Sequence, residues 1–64
     1  MPDKYIAEAV SSGKPVAVFV LNGFQIRGIV LYDNGDSIVI HSGGKNKLVF
    51  KHAISTIEPV QENS

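Results

Sequence analysis

Apolar and polar positions follow two periods along this chain, a helical one at the start and a strand-like one from Pro15 onward. Between Asp3 and Ser12, Tyr5, Ile6, Ala9 and Val10 recur at i, i+1, i+4 and i+5, which predicts a short helix. Asp3 is suited to cap its start, and Gly13 followed by Pro15 to stop it. A helix of about three turns is marginal alone, so its stripe must dock, most simply over the open end of a sheet.

The remaining runs predict five strands. Val16-Ala17-Val18-Phe19-Val20-Leu21 and Phe24-Gln25-Ile26-Arg27-Gly28 flank Asn22-Gly23, a strong signal for a two-residue hairpin turn with positive φ at both positions. That loop length sets Leu21 opposite Phe24, Phe19 opposite Ile26 and Ala17 opposite Gly28 on one apolar face. Val20 and Val18 then share the other face with Gln25 and Arg27. Gly28 inside the second strand, which runs on to Leu31 or Tyr32, marks a bend of the kind that curls a small sheet. Asp33-Asn34-Gly35-Asp36 reads as a turn, Ser37 to His41 as a strand, Ser42-Gly43-Gly44-Lys45 as a second turn, and Lys47 to Lys51 as a strand. His52-Ala53 is a connector, and Ile54 to Ile57 a last strand ending before Pro59. The expected fold is mainly β: a helix, then a bent antiparallel sheet of five strands. OB and SH3-like small barrels both fit that count.

Composition narrows the class. At 64 residues the chain is one small domain near the lower limit of independent folding, and with no Cys it has neither disulfides nor thiolate ligands in support. Oligomerisation is the remaining common remedy. No apolar run approaches the length of a membrane span and no basic-then-apolar leader precedes the helix, so a cytoplasmic protein is expected, with no membrane association. Six basic residues balance six acidic ones, so nucleic-acid binding would rest on a local cluster or on repeated copies of one, not on bulk charge.

Candidate chemistry is sparse. Asp33 and Asp36 are the close carboxylate pair, and turn formation explains them. His41 and His52 lack the additional ligands of a metal site, and Ser55-Thr56 beyond His52 lacks a group to orient the imidazole. No glycine-rich phosphate loop is present. A catalyst is not expected. Phe50-Lys51-His52-Ala53-Ile54-Ser55-Thr56 has two readings. Either Lys51 and His52 are a solvated pair on opposite faces of a strand end, or a sharp connector turns both onto one surface, where cation and ring meet a phosphate or base.

These two runs, Val18 to Gly28 and Phe50 to Thr56, resemble Hfq, the bacterial Sm-like RNA chaperone family, over about Lys14 to Pro59. The Asn-Gly-Phe-Gln segment is most similar to Gram-positive members. The resemblance implies an Sm-like, SH3-type small barrel over residues 1–59 with a polar tail at 60–64, assembling into a homohexameric ring as fourth and fifth strands of neighbours pair. It implies no cofactor, no metal and no catalytic residue. The implied partner is single-stranded RNA, both small regulatory RNA and mRNA, in post-transcriptional regulation and stress response. Uridine-rich ends would bind at the pore on the helix-bearing face, through Lys51, His52 and the adjoining Phe50. Adenine-rich RNA would bind the opposite, distal face, through Phe19, Val20, Asn22, Gly23, Phe24, Gln25 and Arg27. Phe19 and Phe24 would stack bases, and Phe24 beside the turn is the harder of the two to bury. The other role for both is core packing.

Three departures from the family pattern shape the expectation. A gap-free alignment sets Gly35 and Asp36 where the pore site has an amide and a stacking Phe, and Tyr32 substitutes only in a shifted register. Val10-Ser11-Ser12-Gly13 replaces the basic rim of many members, which tells against annealing of paired RNAs. Pro2 falls where the family has a base-contacting Gln, and Tyr5 takes the place of a packing Phe. These features and the neutral charge motivate a second reading, an Sm-like ring that serves as a protein-interaction scaffold.

Overall fold

The computed structural model describes residues 3–60; the expectations for Pro2 and for most of the polar tail lie outside them. A helix, α1 (Asp3–Ser12), precedes five strands, β1 (Val16–Val20), β2 (Gln25–Asp33), β3 (Ser37–Ser42), β4 (Lys45–Phe50) and β5 (Ile54–Pro59). A single 3-10 turn, η1 (Lys51–Ala53), joins β4 to β5. All pairings are antiparallel, in the order β4-β3-β2-β1-β5, so β4 and β5 form the two edges. The longest strand, β2, pairs with β1 through Gly28 and with β3 from Ile29 onward. At that changeover a Cβ on Gly28 would sit on the carbonyl oxygen of His41 and 2.9 Å from its carbon. Only glycine lets the two backbones approach so closely where the sheet bends. Ser42 Oγ donates to the Arg27 carbonyl at 2.6 Å beside the same bend.

The core lies inside that bend. Ile6, Val18, Ile38 and Ile40 are fully buried, and Val16, Val30, Val49, Ile54 and Ala9 nearly so. Helix α1 contributes Ile6, Ala9 and the partly buried Val10, at i, i+3 and i+4, and so closes the sheet's open side as expected. Tyr5, expected to pack with them, is 57% exposed. The three-residue stripe already spans the face the helix buries, and Tyr5 lies about 100° around the axis from Ile6. Gly13, at φ +65°, ends the helix, its N–H donating to the Ala9 carbonyl at 3.2 Å.

The first hairpin differs from expectation by one residue. Its cross-strand partners are Val16–Gly28, Ala17–Arg27, Val18–Ile26 and Phe19–Gln25. The loop is Leu21-Asn22-Gly23: Gly23 N–H donates to the Val20 carbonyl at 2.9 Å and Val20 N–H to the Phe24 carbonyl at 3.0 Å. Gly23 alone takes a positive φ, +95°, and Asn22 does not. This is the three-residue arrangement in which a turn is followed by a left-handed glycine, rather than a two-residue turn. Because strand side chains alternate, the slip exchanges the two faces. Val18 and Ile26 point into the core, while Phe19 and Ala17 join Gln25 and Arg27 on the other side. The two-residue turn occurs instead at Gly43-Gly44 (φ +61° and +78°), where Ser42 pairs with Lys45.

Element ends differ more modestly. β2 and β3 run to Asp33 and Ser42, β4 spans Lys45–Phe50 rather than Lys47 to Lys51, and β5 continues through Pro59. Pro59 is tolerated there because β5 is an edge strand.

Candidate nucleic-acid interface

The corrected register builds a surface on the side of β1, β2 and β5 away from the core. Gln25, Phe19 and Thr56 are cross-strand partners in one row, and Arg27, Ala17 and Glu58 in the next. Phe19 is half-buried, Gln25 and Arg27 are exposed, and Ala17 is buried without belonging to the core cluster. At the hairpin tip, Phe24 and Leu21 are 70% and 71% exposed. The Asn22 Oδ1 accepts from Phe24 N–H at 3.3 Å and fixes the tip locally. Of the distal residues expected from the sequence, Phe19, Gln25 and Arg27 share this face, Asn22, Gly23 and the exposed Phe24 lie at the hairpin tip next to it, and Val20 packs against the core instead. Thr56 and Glu58 were missed as its members, since nothing local sets β5 beside β1, the first and last strands of the chain. The surface combines aromatic faces, an amide and a guanidinium, a set able to stack on bases and donate to phosphate.

The second cluster centres on η1. The connector is sharp and begins at Lys51, which therefore leaves β4. It is tied on both sides by backbone bonds: Lys51 N–H donates to the Asp36 carbonyl at 2.9 Å, and Leu21 N–H to the Ala53 carbonyl at 2.8 Å. The two sequence runs are thus joined directly. Phe50 and His52 stack with ring centroids 5.7 Å apart and planes inclined by 22°. Phe50 is 49% exposed and His52 is exposed. Lys51 is turned elsewhere. Its side chain is largely buried, and Nζ donates to Asp3 Oδ1 at 3.1 Å and to Asp33 Oδ2 at 3.0 Å. Asp33 is held below the usual carboxylate range, first by the Gly35 N–H that donates to it at 2.7 Å and then by Lys51. Lys51 is raised, chiefly by Asp33 and further by Asp3, against the effect of its own burial. Asp3, expected as a helix cap, serves as an ion-pair partner.

The bent sheet thus carries two surfaces that combine aromatic and polar side chains. The family model described as Hfq protein matches residues 1–64. The chain belongs to the Hfq family. It is 40% identical over 62 residues to an RNA-binding protein Hfq of Oceanobacillus iheyensis, covering 97% of this chain and 84% of that one. It is 42% identical over 57 residues to an RNA-binding protein Hfq of Halalkalibacterium halodurans, covering 89% of this chain and 73% of that one. Among solved structures, a crystal structure of the pleiotropic translational regulator Hfq superposes with a TM-score of 0.81 at 38% identity, covering 88% of this chain and 93% of that one. The expected fold, a helix on a bent five-stranded antiparallel sheet, is the one observed. No described helix is long and apolar enough to cross a membrane.

Proposed function

We propose that this Hfq-family chain is an RNA-binding chaperone that grips single-stranded, adenine-rich RNA on the face carrying Phe19, Gln25 and Arg27, with Phe24 at its tip. The observation that carries the reading is the cross-strand pair Phe19–Gln25, set beside Arg27 on the side of the sheet away from the core. An aromatic ring beside an amide supplies stacking and base-edge hydrogen bonds together, and stacking contributes about 1–3 kcal/mol per base. The names of the relatives, RNA-binding proteins Hfq, point the same way.

In this reading the chain works as a homohexameric ring in the cytoplasm, acting between small regulatory RNA and mRNA. The edge strands β4 and β5 of neighbouring copies would pair, which completes the backbone hydrogen bonding of both edges and repeats a small binding surface around an axis. The stacked Phe50–His52 pair and Lys51 form a second, weaker site for uridine-rich ends on the helix-bearing side. The test is fluorescence anisotropy with labelled oligo-A and oligo-U, alongside the native mass. Tighter binding of oligo-A, by a species several times heavier than 6.9 kDa, is expected. Preference for oligo-U, or a lone subunit, would overturn the reading.

A further inference from the structure

Among the described residues, the charged groups in contact with Lys51 do not add up to a cationic site. Nζ is shared between two carboxylates that arrive from different elements, Asp3 at the start of α1 and Asp33 at the end of β2. One ammonium against two carboxylates leaves this cluster with a net negative charge. Asp36, whose backbone carbonyl accepts the Lys51 N–H, adds a further exposed residue of the same sign nearby. A phosphate approaching this side meets repulsion first and reaches Nζ only after a carboxylate lets go.

The two carboxylates are not equally free to do so. Asp3 has a side chain 74% exposed. Asp33 is 34% exposed, and its other oxygen is fixed by the Gly35 N–H at 2.7 Å. Asp33 is therefore the fixed half of the arrangement, and Asp3 the half that gives way.

We propose that Asp33, with Asp3 beside it, is a specificity-determining residue that latches Lys51 away from phosphate on the helix-bearing side and so directs single-stranded RNA to the Phe19–Gln25 face. The inference rests on the RNA-binding reading above and adds which residues set the choice between the two faces.

Asp33→Asn tests it, since an amide keeps the size of the side chain and the acceptor for Gly35 while removing the charge. Anisotropy is measured with labelled oligo-U and oligo-A over a range of salt. Oligo-U affinity is expected to rise on the order of tenfold, and its log–log salt dependence to steepen by about 0.7 per phosphate newly engaged. Oligo-A affinity should stay within roughly twofold, as no Phe19-face contact changes. Lys51→Ala in the same background should erase the gain. Unchanged or weaker oligo-U binding by a folded Asp33→Asn protein that still binds oligo-A overturns the inference and leaves Asp33 a structural residue. Should Asp33→Asn not fold, Asp3→Asn releases the more exposed carboxylate, with a gain of about threefold expected and no gain counting against the latch. Failure of the underlying RNA-binding reading looks different: neither oligomer binds the unmodified protein or any variant.

Discussion

Phe24→Ala separates a ligand contact from a structural one. With 70% of the residue exposed, less than a third of its surface is removed from water in the folded chain. Full burial of a Phe side chain contributes about 1.5–3 kcal/mol, so its contribution to folding here is below about 1 kcal/mol. For a domain of this size that corresponds to a Tm shift of less than about 8 °C. If the same ring stacks on a base, its removal costs about 1–3 kcal/mol of binding, a loss of roughly 5- to 150-fold in oligo-A affinity. The assay pairs an anisotropy titration with a thermal melt and a native mass on one preparation. The expected result is a large loss of oligo-A affinity, a small change in Tm and an unchanged mass. Full oligo-A affinity in the variant, or loss of the assembled species, would refute the argument.

Three further outcomes follow from the fold. Gly28→Ala would drive a methyl group into the His41 carbonyl at the bend, so a loss of about 1–3 kcal/mol, read by urea denaturation, is expected; an unchanged midpoint would show that the strands are not in close approach. Ile38→Ala empties the centre of the core from a fully buried position, with an expected loss of about 2–5 kcal/mol, enough to leave so small a domain partly unfolded by circular dichroism. Asp33 has its pKa lowered on folding from an ordinary value of 3.8; its stabilising effect is complete above that value and is lost as pH falls through the depressed folded value. Lys51 has its pKa raised from 10.5, so its effect is complete below that value and is lost as pH rises through the folded one. Thermal melts should therefore show a plateau between, and Asp33→Asn should flatten the acid limb; an unaltered acid limb in that variant would count against the pairing.

The elements were legible because their signals are local. Helix α1 occupies the expected Asp3–Ser12, from an apolar stripe and a glycine stop, and the five strands lie where the alternating runs sit. The hairpin register was not legible to the residue. Asn22-Gly23 suits a two-residue turn, yet the loop closes one residue earlier because Leu21 and Asn22 form the turn and Gly23 takes the left-handed position after it. The reward is burial of Val18 and Ile26, and the consequence is that Phe19 leaves the core for the outer face. The resemblance singled out Phe50, Lys51 and His52 in the second run, but it gave no sign of the ion-paired state of Lys51. Its partners lie 48 and 18 residues away in sequence, and no periodicity reports a contact among a 3-10 turn, a strand end and a helix start.

The most direct measurement is photo-crosslinking of a labelled oligo-A to the intact protein, with the crosslinked residues located by mass spectrometry. Crosslinks on Phe19, Phe24 and Gln25 are predicted, absent from Phe50 through His52. Crosslinks concentrated on Phe50 to His52, with the Phe19 face untouched, would contradict the account.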